Sequence, residues 1–407
     1  MIYLDYNATT PLEQEVTEAI VTALTDAWGN PSSSHEAGIK AKEVIDNARQ
    51  NVASMIGTIP SNIIFTSGGT EANNMILQSA IEYYKQHYND SSTDIGDTIN
   101  CLPHIISSCI EHPAINEYLK YLQHSKQAEV SYVPISSTTG RLEVTDVIKH
   151  IKSNTIMVTV MLANNETGII QPVKEICHSV KSLVRHEGET QNILVHTDAA
   201  QAIGKISVDI RELNVDYLTV VGHKFYGPRN GAMYVKGLDS NDVPLYPMLY
   251  GGGQERSYRP GTENTGMIAG LGKACELVSL NREVYEKTML ECRNYLENKL
   301  EEYFPGRVHF NGKFEGTERL PNTCNVSILG EKYHGYKVLS RCKILQASVG
   351  AACHSQNKPS SILLAIGIDE SIARNAIRIS VGRSTTTADI DRIVEDIYQA
   401  IQSIDQE

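Results

Sequence analysis

Residues Val215 to Pro228 read VDYLTVVGHKFYGP, and the fold turns on them. The run 215–221 is apolar and rich in β-branched residues, so it is expected to form a fully buried strand of a parallel sheet. Gly222 ends the run and delivers His223 and Lys224 to its carboxyl end, just ahead of the Gly227-Pro228 turn. In open α/β sheets that end is where ligands bind. A lysine desolvated there holds its extra proton less tightly, which frees the lone pair for imine chemistry. Taken alone, such a lysine is more often a solvated residue capping a strand, so the rest of the chain has to decide.

Upstream, the same unit recurs. Strands are expected at 2–5, 62–66, 104–108, 130–134, 155–162 and 193–197. They are interleaved with helices at 13–27, 40–56, 72–84, 113–124, 144–151 and 173–185. Repeated β-α units imply an α/β fold: a mostly parallel, doubly wound sheet wrapped by helices. Beyond residue 263 the texture changes. A long helix (267–303), short strands (307–310, 323–328, 376–381) and a last helix (387–404) suggest a smaller α+β C-terminal lobe. The expected division is a large domain at 13–263 and a small one at 264–407, joined by the N-terminal segment 1–12.

Composition narrows the function. The 407 residues are 41% hydrophobic and 21% charged, with a net charge of −12 and no basic run, which argues against nucleic acid or an anionic membrane as partner. No apolar run reaches the roughly 20 residues that span a bilayer. With Met1 as the start, MIYLDYNATTP is strand-like rather than a leader, and the expected location is the cytosol. The eight cysteines show no CxxC or other paired spacing, so neither a disulfide framework nor a zinc site is expected.

Several loops that follow strands should converge on one sheet edge. Ser67-Gly68-Gly69-Thr70 places bare amides and a hydroxyl at a helix start, which reads as a phosphate cradle or as an ordinary capping turn. His112, after the strand at 104–108, could stack on a flat ring or be merely structural. Asn165, in the turn after 155–162, offers an amide. Asp198, at the end of 193–197, needs a cationic partner if buried. A protonated pyridine nitrogen would supply one; a metal competes, but too few ligands stand at suitable spacing. Cys353 lies in VGAACHS, a stretch of small residues that reads as a mobile exposed loop, where a thiolate can visit a substrate and leave.

Together the segments YLDYNATTP, GNPSSSH, FTSGGTEANN, EHPAI, NNETG, HTDAAQ, GHKFYGPR, GGGQERSYRPGTEN, ASVGAACHS and RISVGRSTT resemble, over nearly the whole chain, a family of pyridoxal-phosphate enzymes. It is the class V aminotransferase-like family of fold type I, in its cysteine desulfurase/selenocysteine lyase group. VVGHKFYGPRNGAMYV, PLYPMLYGGGQER, NTCNVSI and SVGAACHS are most similar to the animal selenocysteine lyases. The resemblance implies that Lys224 carries pyridoxal 5'-phosphate as an imine and later acts as base. It implies that Asp198 pairs with the pyridine nitrogen, that Gln201 and Asn165 approach the ring hydroxyl, and that His112 stacks on the ring and moves a proton. Gly69, Thr70 and His223 would hold the phosphate, with Thr262 reaching it from a neighbouring subunit, so a homodimer is expected. Val221 stands where many bacterial relatives carry a phosphate-binding serine. Arg378 would clamp the substrate carboxylate with help from Asn30, Arg383 being the rival clamp, and Cys353 would take the chalcogen.

The implied activity is release of selenium from L-selenocysteine with formation of L-alanine. The alternative is a cysteine desulfurase that passes sulfur from L-cysteine to an acceptor protein through a persulfide on Cys353. A catalytically dead scaffold of the same fold is the reading from another class, and the joint presence of Lys224, Asp198, His112, Cys353 and Arg378 counts against it. Pro113 departs from the pattern, because mammalian selenocysteine lyases tend to carry an acidic residue there.

Overall fold

Buried β-branched runs separated by amphipathic helices can satisfy their backbone groups only by pairing with one another, and among the described residues the chain does this in a seven-stranded sheet, a three-stranded sheet and a two-stranded pair. The computed structural model describes residues 1–88, 102–183, 192–350 and 358–407. The first half runs β1 (Ile2–Tyr3), α1 (Gln14–Asp26), α2 (Glu36–Ile56), β2 (Ile63–Thr66), α3 (Gly69–Tyr88), β3 (His104–Ser108), α4 (Pro113–His124), β4 (Glu129–Val133) and α5 (Val144–Lys149). It continues through β5 (Thr155–Thr159), α6 (Val173–Lys181), β6 (Leu194–Asp198), the short α7 (Ile210–Leu213), β7 (Tyr217–Val221), β8 (Gly231–Val235) and the long α8 (Thr265–Tyr303). The remainder is β9 (Val308–Phe310), β10 (Thr323–Ile328), α9 (Gly335–Arg341), β11 (Leu345–Gln346), α10 (Ser361–Ala365), α11 (Glu370–Ala373), β12 (Ala376–Ser380) and α12 (Thr387–Asp405).

The large sheet has the order β2-β8-β7-β6-β5-β3-β4. From β7 to β4 every pairing is parallel. Strand β8 runs antiparallel between β7 and β2. All five residues of β7 are buried, as expected for a central strand covered on both faces. The sequence expectation contains no strand at β8, although GAMYV directly after a Pro-Arg-Asn turn carries the mark of a short hairpin strand. Gly222 has to be glycine for contact reasons, since a Cβ there would sit 2.5 Å from the Pro228 carbonyl oxygen. Helix α2 begins at Glu36, earlier than the spacing suggested, because the His35 ring accepts the Gly38 amide at 3.4 Å as an N-cap. Strand β5 ends at Thr159, and beyond it the Val160 and Leu162 amides bond to His196 and Asp198 carbonyls, which keeps the next loop against β6.

The second sheet, β12-β10-β9, is antiparallel and packs on α12, which opens with a Thr386/Asp389 capping box. Helix α8 belongs to both cores. Ile268, Leu271 and Val278 pack with the large sheet, and Met289, Leu296 and Leu300 with the small one. The N-terminal segment does the same in reverse. Ile2, Leu4 and Tyr6 are buried in the second core and β1 pairs with β11, after which the Thr10 amide bonds to the His223 carbonyl at 3.0 Å. Residues Asn7 and Ala8 are thereby pinned against the end of β7. Among the described residues no helix is long and apolar enough to cross a membrane, and no cluster of three His, Cys, Asp or Glu could hold a metal.

Candidate active site

Parallel strands place all their carboxyl ends on one edge, so residues far apart in the chain meet there. Gly69, Thr70, His112, Asn165, Asp198, Gln201, His223, Lys224 and Arg378 line a single cavity of about 300 Å³. Eight of them come from the large sheet's loops or strand ends, and Arg378 reaches in from β12 of the small sheet. The cavity therefore lies where the two sheets face each other.

Lys224 is one of the residues that line it. Nζ donates to the carbonyl oxygens of Asn7 at 2.8 Å and Ala8 at 2.9 Å. Burial, reinforced by the Arg378 guanidinium and opposed by Asp198 and Asp5, pulls its pKa from 10.5 to about 8. Asp198 is buried on the cavity floor, its Oδ2 accepting from Asn73 Nδ2 at 2.8 Å and its Oδ1 from the Ala200 amide at 2.9 Å. The Thr219 hydroxyl donates to Asn73 Oδ1 at 2.6 Å, which fixes the Asn73 amide with its nitrogen toward Asp198. Beneath lies His196, its pKa pushed down to about 4 by burial and its ring nitrogens bonded to the hydroxyls of Thr159 and Thr219.

His112 is the N-cap of α4, with Nδ1 accepting the Ala114 amide at 3.1 Å, and its ring lies open to the cavity. Burial of the rest of the ring, with Lys224 adding to it and Asp198 opposing, lowers its pKa. Pro113 follows as the first helical residue, where a missing N–H costs nothing, so the residue that departs from the family pattern has a local structural reason. Glu111 ties this loop down. Its Oε1 accepts from Ser108 Oγ and from the Met161 amide at 2.9 Å, and burial raises its pKa to about 8.

The opposite end is the amino terminus of the 20-residue α3. Its free N–H groups and the Thr70 hydroxyl suit an anion. A Cβ on Gly69 would stand 2.6 Å from Val221 Cγ2, so the valine methyl fills the room this glycine leaves. His223 shares a hydrogen bond with Thr9 Oγ1 at 3.1 Å, and its pKa is depressed to about 4 by burial and then by Lys224. Arg378 pairs with Asp5 at 2.7 Å and donates to the Asn165 carbonyl at 3.0 Å, while its buried Nε has no hydrogen-bond partner among the described residues.

The other sequence-predicted residues stand elsewhere. Arg383 points away from the cavity: it pairs with Glu13 at 3.1 Å, and its guanidinium lies 4.2 Å and 3.8 Å from the ring centres of Tyr226 and Tyr285. That sandwich occupies it, so Arg378 alone of the two faces the site. Asn30 is exposed and accepts the Ser32 amide at 2.9 Å, and Thr262 is exposed on the loop before α8; neither lines the cavity. Cys353 lies outside the described residues. Sequence reading missed Asn7, whose carbonyl receives Lys224, and Asn73, which orients Asp198. Asn73 had a signal, since it stands four residues after Gly69 and therefore on the same helix face. Asn7 had none, because its role is a backbone one.

A pyridoxal phosphate group fits these residues. The donors that hold Asp198 are neutral amides, and among the described residues no cation lies within ion-pair distance of it, so a protonated ring nitrogen answers its charge. The α3 terminus answers a phosphate and Lys224 an aldehyde. Fold and site together define a lysine-anchored pyridoxal-phosphate enzyme.

The chain belongs to the aminotransferase class-V family, whose model matches residues 2–393. It is 53% identical over 412 residues to the selenocysteine lyase of Bos taurus, an alignment covering 99% of this chain and 94% of that protein. The cysteine desulfurase IscS of Methanosarcina thermophila is 36% identical over 405 residues, 99% of this chain and 92% of that one. A solved structure titled NifS-like protein superposes with a TM-score of 0.85 at 33% identity, covering 98% of this chain and 99% of its own.

Proposed function

We propose that the chain is a pyridoxal-phosphate-dependent selenocysteine lyase, which releases selenium from L-selenocysteine and leaves L-alanine. The observation that carries this is the Lys224 amine, titrating at about 8 between a buried carboxylate and a buried guanidinium, in a chain 51–55% identical to animal selenocysteine lyases. When bound, the cofactor supplies an aldehyde that condenses with amines and a ring that stores the electron pair released at Cα.

The chain's own residues do the rest. Asp198, oriented by the Asn73 carboxamide and the Ala200 amide, would face the ring nitrogen and favour its protonated form. Arg378, which lines the cavity, takes the substrate carboxylate. Lys224, uncharged in part at neutral pH, removes the Cα proton. His112, which lines the cavity, would cover the ring and exchange a proton at the leaving chalcogen. Gly69, Thr70, His223 and the α3 amides would hold the phosphate. Thr262, exposed and outside the cavity of its own chain, is assigned to the cavity of a second copy, which makes the working unit a homodimer.

The second reading is a cysteine desulfurase, favoured by the 36% identical IscS relatives. In it the Cys353 thiolate attacks the substrate sulfur. An S–S bond forms, the C–S bond breaks, its electron pair stays on carbon and is protonated to give alanine, and the persulfide passes to an acceptor protein. Alanine release from L-selenocysteine and L-cysteine, measured in parallel for the wild type and Cys353→Ala, separates the two. A strong preference for selenocysteine supports the lyase. Comparable turnover of both, with cysteine turnover lost in the variant, replaces it with the desulfurase.

A further inference from the structure

One buried lysine has no part in this scheme. Lys205 lies in the turns after β6, is 4% exposed, and makes one side-chain hydrogen bond among the described residues, donating to Gln201 Oε1 at 2.7 Å. No carboxylate pairs with it there; the charged groups that bear on it are Lys224 after β7, Arg378 on β12 and Arg383 just beyond, all cations. Burial and these neighbours drive its pKa well down. An apolar side chain of the same length would avoid that cost, so the amine has to be explained by its single partner.

Gln201 is held at both ends. Its Nε2 donates to the Asn7 carbonyl at 3.0 Å, the same oxygen that accepts Lys224 Nζ at 2.8 Å. A carbonyl can only accept, so Nε2 must face Asn7 and Oε1 must face Lys205. An amine donates an N–H whether or not it carries its extra proton, so this orientation does not depend on the charge of Lys205. Once Oε1 is turned inward and one Nε2 hydrogen is used, the second Nε2 hydrogen is left for the cavity that Gln201 lines.

We propose that Lys205 is a positioning residue, which locks the Gln201 carboxamide so that the cavity presents an N–H donor, and not a carbonyl, to an anionic oxygen beside Lys224. This rests on the pyridoxal-phosphate reading, in which that oxygen is the ring's phenolate. A donor there stabilises the deprotonated oxygen and makes the neighbouring nitrogen linkage easier to deprotonate. Without Lys205 the Gln201 Oε1 loses its partner and the Asn7 contact alone holds the carboxamide, so the second N–H is aimed less firmly at the phenolate and stabilises it less.

The test is a pH titration of the visible absorbance of the cofactor-loaded protein without substrate. Lys205→Met is expected to raise the midpoint by about half to one unit, a roughly three- to tenfold change in the protonation equilibrium. Gln201→Leu should raise it similarly, and Lys205→Met made in the Gln201→Leu background should add nothing further. A midpoint unmoved in Lys205→Met overturns the proposal. So does a full extra shift in the double variant, which would mean that Lys205 acts through its field and not through Gln201. If Lys205→Met does not fold, Lys205→Gln, whose tip falls one bond short of Gln201, should show the same rise, and an unmoved midpoint there counts equally against it. Failure of the cofactor reading itself is distinguishable, since the wild type would then show no visible band.

Discussion

The Lys224 amine offers the sharpest quantitative test. With a pKa of about 8 instead of 10.5, the neutral fraction at pH 7 is about 9% where an ordinary lysine has roughly 0.03%, a gain of about 300-fold in nucleophilic amine. Trace carbamylation of the cofactor-free protein across pH 6 to 11, quantified at each lysine by mass spectrometry, reads this directly. Lys224 should show a reactivity midpoint near 8. In Arg378→Gln the midpoint should move up, because the guanidinium is the second cause of the depression after burial. The same shift has a stability signature. Below pH 8 the amine is protonated both folded and unfolded, and the folded state bears the whole penalty, on the order of 3 kcal/mol. Between 8 and 10.5 the unfolded chain binds the extra proton at this site, so across that window wild-type stability should rise with pH by about 3 kcal/mol more than that of Lys224→Met, in which the other titrating groups are unchanged. A Lys224 midpoint within half a unit of 10.5, or parallel pH profiles for the two proteins, would refute the account of a desolvated amine.

Three further outcomes follow from buried contacts, two at the site and one away from it. Asn73→Leu strips Asp198 Oδ2 of its donor and the Thr219 hydroxyl of its acceptor, and should cost about 2 kcal/mol in chemical denaturation, a loss not shared by a surface Asn→Leu control. Gly69→Ala puts a Cβ against Val221 and should weaken cofactor binding by about tenfold in absorbance titration, with Gly69→Ala/Val221→Ala recovering most of it. Recovery absent in the double variant would show that the glycine matters for some other reason. Arg49→Met leaves the buried Glu255 carboxylate, now held by two guanidinium bonds and the Phe65 amide, with the amide alone, and should cost about 3–5 kcal/mol in urea unfolding.

Much of this was written in the chain itself. The buried run at 217–221, the glycine that ends it and the lysine behind it are local, and β-branched periodicity with a breaker is enough to read them. Strand-end residues of the large sheet, from Gly69 to Asp198, follow from one rule, that parallel strands deliver their carboxyl ends to a common edge. Tertiary structure alone decided between Arg378 and Arg383. They are five residues apart and chemically identical, and only the packing of Tyr226 and Tyr285 around one of them leaves the other to face the cavity. It also placed the Asn7 carbonyl under Lys224 and the Lys205 amine behind Gln201. Neither has a sequence pattern, because a backbone oxygen carries no residue identity and a single lysine looks the same on a surface as in a core. What a residue is can be read from the chain; what it is desolvated against, and so which proton it will hold, belongs to the fold.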